Sequence, residues 1–425
     1  MQRVYITGVG VVSSLGLGKH AFFEALASGQ SGIAPVQAFD TTTLGRTFGA
    51  EVSDFQPTDH LSAAEVRRMG RCSAMTVAAA RMAVQDSGLR DVTGPRTAVI
   101  IGTTMGEADV LGHLDHAWIS QGARAVKPSL LPRYGSTLLS VHVARAVGAQ
   151  GLVTTLPGAC AAGNYAIGFG ADLIRTGRAD VVICGSAEII QELQFSGFVR
   201  LAAMAPEKCQ PFDKNRQGLI VGEGAGIVVL ESEAHAKQRD ATLFAEFGGY
   251  GLTCDAYHIT RPHPDATGSI EAMRQAIHRS GLDPEHVDFI NAHGTGTRAN
   301  DLAEARVVQE IFGGRAVPVS SMKSMIGHCM GAASALEAIG CLMTLEQGIY
   351  PPTIGFETPD PECDINLVAN RAQTGEHDVV LNNSLAFGGY NAVACLARPG
   401  VLPPPEERAA HYRARTEALA MDAAS

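Results

Sequence analysis

Two distant stretches of this chain follow one plan. "AAARMAVQDSGLRDVTGPRTAVIIGTT" (78–104) and "EAMRQAIHRSGLDPEHVDFINAHGTGT" (271–297) each run a helix into Ser-Gly-Leu, then a short loop, then a strand ending at Gly-Thr. Gly88 and Gly102 lie 14 positions apart, Gly281 and Gly294 lie 13 apart. Gly88 and Gly281 fall where a helix C-terminus takes a left-handed residue. A second echo follows in the same order: "GAC" (158–160) and "GHC" (327–329) each precede an Ala-rich helical stretch. Repetition of this kind predicts two similar α/β halves, near 1–245 and 246–410, facing each other across a pseudo-twofold. Residues 411–425 form a peripheral tail.

The rest of the chain fits that plan. Strands are expected at 3–10, 97–103, 180–187, 224–231, 242–251, 287–294, 317–321, 377–384 and 391–397. Helices are expected at 19–28, 62–88, 160–176, 269–280, 299–312 and 331–347. Such alternation implies crossover connections and sheets covered on both faces. The unbroken apolar strands agree with burial on both sides. A hydrophobic content of 46% against 18% charged residues supplies a large core.

Charge and cysteine usage narrow the function. A net charge of −10 argues against a nucleic-acid surface. An acidic protein partner would need a local basic patch, and "EVRRMGR" (65–71) offers one. Nine cysteines without a CxxC pair read as reduced, cytosolic thiols rather than a disulfide framework. The N-terminus reads as a strand and turn rather than a signal peptide. No run of about 18 apolar residues is present, so no membrane span is expected.

The chemistry-bearing residues lie in both halves. Cys160 opens a helix, where the dipole favours a thiolate, and its small neighbours Gly158, Ala159, Ala161 and Ala162 leave room for a substrate. Alone it is equally readable as a buried structural thiol. His293 follows an apolar strand, and His328 sits between a Gly turn and an Ala-rich helix. Strand ends and helix starts point polar side chains into clefts. A Cys with two His supplies a nucleophile and two hydrogen-bonding or proton-handling groups. Lys323 lies among small and apolar residues and needs a partner, with Glu304 or Asp301 in reach. In "SLAFGGYN" (384–391), Gly388 and Gly389 permit unusual backbone angles beside Phe387. That loop could give an oxyanion a backbone N–H, or be a plain hairpin turn. "HLDH" (113–116) lacks the further ligands of a metal site, and no metal is expected.

Taken together, these segments resemble the β-ketoacyl-acyl carrier protein synthases, and most closely their elongating Cys-His-His type. The resemblance covers about residues 2–398, through "VYITGVGVVSSLG", "PFDKNRQGLIVGEGAG", "NAHGTGT", "SSMKSMIGH" and "FGGYN" in order. It implies a thiolase fold, a five-layered αβαβα core of two similar halves, usually dimeric. The implied reaction, in fatty acid or polyketide biosynthesis, is a decarboxylative condensation of an acyl group on Cys160 with a malonyl-acyl carrier protein. Backbone N–H groups of Cys160 and Phe387 would form the oxyanion hole, and His293 and His328 would stabilise the enolate. Thr295 and Thr297 match positions that contact the carrier's phosphopantetheine arm, and Gly388 and Gly389 the substrate-side loop. Lys323 and Glu304 match a paired charge, Phe387 a gating aromatic, and Arg67 and Arg68 the carrier-docking surface. The family also has a monovalent-cation position, here the Asn291 and Ala292 carbonyls, Glu337 and Asn382–Asn383. No cofactor is covalently bound. The partner is a loaded acyl carrier protein, and the assembly a cytoplasmic homodimer or a heterodimer with a related subunit. His328 argues against an acetyl-coenzyme A-using initiating synthase, and Cys395 lies within a strand, unlike a thiolase's second cysteine. A chain-length partner subunit normally lacks the active cysteine, and a Cys-His hydrolase would not need paired His with a buried Lys. The departures are "PGACAAGN" around the cysteine, the more basic Arg261 and His263, and Ala386 and Tyr390. Substrate choice is expected first at Pro157 and the Ala-Ala-Gly-Asn after Cys160.

Overall fold

Ten strands join in one hydrogen-bonded path, in a computed structural model that describes residues 2–422. In chain order they are β1 (Val4–Ser13), β2 (Thr97–Thr103), β3 (Val153–Pro157), β4 (Val181–Glu188), β5 (Gly224–Ser232), β6 (Ala245–Cys254), β7 (Phe289–Asn291), β8 (Val319–Ser320), β9 (Val379–Ala386) and β10 (Tyr390–Ala397). Their spatial order is β3-β2-β4-β5-β1-β6-β10-β9-β7-β8. The order is symmetric about the antiparallel β1–β6 junction, where Tyr5 faces Glu246 and Ile6 faces Ala245. Outward from that junction, each half has two antiparallel pairings and then two parallel ones. The predicted pseudo-twofold is visible in this pattern.

The main helices are α1 (Lys19–Ser28), α2 (Arg71–Asp86), α3 (Ala108–Gln121), α4 (Leu138–Val147), α5 (Ala162–Arg175), α6 (Glu192–Arg200), α7 (Thr267–Arg279), α8 (Arg298–Phe312), α9 (Ala333–Gln347) and α10 (Pro405–Asp422). α2 and α4 cover one outer face, and α7 and α8 the other. α5 and α9 lie between the two halves of the sheet, α5 against β2 and β4, α9 against β5 and β9. The result is the five-layered αβαβα order of a thiolase fold. Every residue of α9 from Ala333 to Leu345 is buried, as a helix covered on all sides requires. β2 and β4 are buried along their whole length for the same reason.

The two central helices touch at Gly163. A Cβ there would lie 2.4 Å from the Ala335 backbone nitrogen and 2.7 Å from Ser334 Oγ. The Gly163 and Asn164 N–H groups donate to Ser334 Oγ at 3.0 and 3.2 Å, supplying an acceptor to the first turn of α5.

Several expectations changed. The helix expected over 62–88 is two pieces, Ala63–Val66 and α2. The buried Glu107 carboxylate accepts the Ser73 N–H at 2.7 Å and occupies the space beside Gly70, so a new helix start forms there. β3, α3, α4 and α6 were not predicted. β3 is a short, half-exposed edge strand, and only Val110 and Leu114 of α3 are buried, which blurs the apolar period. Gly88 and Gly281 do adopt left-handed φ values of 68° and 74°. α10 begins before residue 411: Arg408 pairs with the buried Glu246, and the Arg279 guanidinium lies 5.0 Å from the Tyr412 ring. Residues 423–425 of the expected tail lie outside the described residues.

Gly163→Ala should lower stability by about 2 kcal/mol, because the atoms it meets are backbone. Gly197→Ala on α6 meets nothing within 4 Å and should be neutral or slightly stabilising. Thermal denaturation of both variants checks the pair.

Candidate active site

Cys160 lies in a single 3-10 turn, Ala159–Ala161, that leads into α5. Ala159 before it has φ 47°, a conformation unfavourable for a residue with a Cβ. The matching turn, Met330–Ala332, leads into α9, and Met330 has φ 45°. The structural counterpart of Cys160 is therefore Gly331. The "GAC"/"GHC" echo had aligned it with Cys329, two residues off.

The second half brings both histidines to this point. His293 lies just beyond β7, and His328 just beyond a one-turn helix, Lys323–Ile326. Cys160, His293 and His328 each offer an atom within 4.8 Å of the others, and all three are buried. The two imidazoles meet edge to face, with centroids 5.2 Å apart and planes at 87°. The Met330 N–H donates to His328 Nδ1 at 3.1 Å. Nδ1 is thereby an acceptor, which leaves the proton on Nε2. The His328 backbone is pinned by its N–H to Ile220 O at 2.6 Å. His293 Nδ1 is buried without a hydrogen-bond partner.

Burial, and then the charge of Lys323, hold both histidines well below the usual imidazole range; His328 adds to the effect on His293. Both are neutral at physiological pH. Burial pushes the Cys160 thiol up to about 12, against Lys323 and the backbone N–H groups of Phe387 and Cys160, which favour the thiolate. The backbone N–H groups at the helix start favour the thiolate, in the direction expected from the sequence, but desolvation outweighs them.

The expected Lys323–Glu304 pair is not formed, nor a Lys323–Asp301 pair. Lys323 Nζ meets Glu337 Oε1 at 2.5 Å, and both side chains are fully buried. Glu337 lies on α9, 14 positions after Lys323, and the sequence reading did not consider it as the partner. Glu304 has another task. It accepts the N–H groups of His293 and Gly294 at 2.6 Å each, and the side chains of Asn300 at 3.1 Å and Asn383 at 2.6 Å. It holds the His293 loop. Burial raises both Glu304 and Glu337 to about 7, against those N–H donors for Glu304 and against Lys323 for Glu337.

Two side chains of the expected monovalent-cation position are engaged within the protein. Glu337 Oε1 is taken by Lys323, and Asn382 Nδ2 donates to Asn164 Oδ1 at 2.9 Å. Glu337 Oε2 and Asn291 Oδ1 remain as buried acceptors without donors.

A cavity of about 530 Å³ opens onto Cys160, His293 and His328. Thr295 and Thr297 line it, with their hydroxyls 2.8 Å apart. Phe387 lines it too, its ring 5.8 Å from that of Phe198. Gly388 and Gly389 do not line it. They form the turn of the β9–β10 hairpin, at φ 88° and 80°, so the loop is a hairpin that also aims the Phe387 N–H. Ala161, Ala162, Gly163 and Asn164 pack in the helix core, away from the cavity, and Pro157 is exposed on the edge strand. The departures that do reach the cavity are Arg261 and Ala386. The cavity wall from α6 and the segment between it and β5, with Phe198, Leu201 and Leu219, was missed from sequence. Arg67 and Arg68 are exposed and lie outside the cavity.

The chain matches the family models Beta-ketoacyl synthase, N-terminal domain, over residues 1–236, and Beta-ketoacyl synthase, C-terminal domain, over 244–357. It is 38% identical over 401 residues to a 3-oxoacyl-[acyl-carrier-protein] synthase 2 of Synechocystis sp., covering 92% of this chain and 96% of the relative. The solved ishigamide ketosynthase/chain length factor matches with a TM-score of 0.91 at 42% identity, covering 94% of this chain and 100% of that one. A type II polyketide synthase acyl-carrier protein in complex with its ketosynthase bound to the hexaketide contains a chain matching at TM-score 0.87 and 29% identity, with 93% and 99% covered.

Lys323→Met should cost about 3–5 kcal/mol, because it strands the buried Glu337 carboxyl. The double variant K323M/E337L should recover most of that loss in urea denaturation.

Proposed function

The chain belongs to the β-ketoacyl synthase family, and on that premise we propose that Cys160 holds the acyl group while His293 and His328 bind the enolate of its condensation. The enzyme is a decarboxylating 3-oxoacyl-acyl carrier protein synthase that elongates chains in fatty acid or polyketide biosynthesis. The observation that carries the residue assignment is the convergence of the three reactive groups from opposite halves. The half taken as 1–245 supplies the nucleophile, and the half taken as 246–410 supplies both imidazoles.

In the first step the Cys160 sulfur attacks the acyl-carrier thioester. A Sγ–C bond forms, the C–S bond to the phosphopantetheine arm breaks, and the thiol proton ends on the departing arm. The N–H groups of Cys160 and Phe387 meet the oxyanion. In the second step a malonyl thioester enters past Thr295 and Thr297. Its C–C bond to the carboxylate breaks, CO₂ leaves, and the enolate oxygen receives the His328 Nε2–H and a proton donor from His293. The carbanion then attacks the Cys160 thioester; a C–C bond forms and the sulfur leaves as thiolate. Neutral donors suit this step because the charge they meet develops only during the reaction. Burial, and then the charge of Lys323, keeps them neutral, and Glu304 is a positioning residue for the His293 loop.

The phosphopantetheine arm belongs to the partner, an acyl carrier protein. Exposed Arg67 and Arg68 are the proposed docking cations for that acidic partner. Beside a homodimer, pairing with a related subunit is a second reading of the assembly, supported by the 42% identity to the ishigamide ketosynthase/chain length factor. No helix among the described residues is long and apolar enough to cross a membrane. A cytoplasmic location is proposed from nine free cysteines.

Incubation with acyl- and malonyl-loaded carrier protein should give a 3-ketoacyl carrier, read by mass spectrometry. Acyl transfer to Cys160 with neither CO₂ nor ketoacyl product would sink this reading. Cys160→Gln should block loading but still allow decarboxylation. His328→Ala should load acyl yet decarboxylate roughly 100- to 1000-fold more slowly; normal condensation by that variant would remove the role given to His328. Because both histidines stay neutral, CO₂ release should show no loss from imidazole protonation between about pH 7.5 and about pH 6; a change centred near pH 7 would instead report Glu304 or Glu337. A histidine with the ordinary pKa of about 6.5 would lose half its rate near that value.

A further inference from the structure

Two charges in the cavity take no part in the chemistry above. Arg261 and Arg298 both line it, and both are exposed. Neither makes an ion pair among the described residues. The third arginine of the wall, Arg216, differs: it is buried, 2.5 Å from Asp360 and 3.5 Å from Asp301. The one acid of the lining, Asp255, is turned to the protein, accepting the His263 N–H at 2.9 Å and Asn391 Nδ2 at 2.7 Å. The rim therefore carries two free guanidinium groups in a chain of net charge −10.

They come from two separate segments. Arg298 is the first residue of α8, whose positive end also faces an anion there favourably. Arg261 stands on the 255–265 loop, which is tied to the β9–β10 hairpin by the Gly388 N–H to Ile259 O at 2.7 Å and the Asp255 N–H to Gly389 O at 2.8 Å. An exposed planar fork of donors matches a phosphate geometrically and needs no burial to hold its charge. A malonyl carboxylate is a poorer fit for the pair. It must leave as CO₂, and a guanidinium gripping it would stabilise the ground state against that loss.

We propose that Arg261 and Arg298 form a clamp for the phosphodiester of the phosphopantetheine arm. This rests on the reading of the cavity as the channel for that arm. The test compares three malonyl thioesters: of pantetheine, of phosphopantetheine, and of the intact carrier. In the unaltered enzyme the phosphate should lower KM by about tenfold between the first two, equivalent to about 1.4 kcal/mol. In R261Q/R298Q that KM ratio should fall toward one with kcat on phosphopantetheine unchanged, and R261K/R298K should restore part of it. An unchanged ratio overturns the clamp. So does a KM rise confined to the carrier-borne substrate, which would place the arginines on the carrier's acidic face instead. Absence of CO₂ release from all three substrates in the unaltered enzyme overturns the condensing-enzyme reading, and the clamp with it.

Discussion

The crossing of two buried helices at Gly163 governs the geometry of everything else. The Cys160 turn is the entrance to one of those helices, and the Met330 turn that fixes the His328 tautomer is the entrance to the other. Because Gly163 has no side chain, the helix starts approach until Ser334 can satisfy the first-turn N–H groups of α5. Reactive groups 168 positions apart in the chain, Cys160 and His328, then meet at one cavity. Burial of the helices on every side leaves little freedom to relax that distance.

Inside that space the electrostatics run in one direction. Lys323 sits in a fully buried pair with Glu337, so its charge is felt with little solvent screening. It opposes protonation of both imidazoles and favours ionisation of the thiol. Desolvation opposes the thiolate more strongly, and the sulfur rests protonated. The site is thus prepared for negative charge that develops and moves on, rather than for a standing anion.

Much of this was legible in the chain. The helix-loop-strand echo exposed the duplication, and Cys160, His293 and His328 stood at element ends where side chains reach a cleft. What was hidden depended on contacts between distant segments. Lys323 pairs with Glu337, 14 positions on, rather than Glu304, 19 positions back, because α9 packs against it. α2 breaks at Gly70 because a carboxylate from residue 107 fills the space there. The short echo misaligned by two residues because Gly and Cys next to a helix are a weak marker, whereas the left-handed φ values of Ala159 and Met330 mark the true correspondence. The Ala-Ala-Gly-Asn after the cysteine looked like a specificity element and is a packing surface instead.

Gly331 at the position matching Cys160 has a meaning of its own. Each half builds the same kind of bent entrance to a buried helix, yet only one places a cysteine at its middle position, where the other has Gly331. The other entrance is free to hold an imidazole in one protonation form. A symmetric scaffold has become a division of labour, in which one copy carries the cargo and its twin manages the charge.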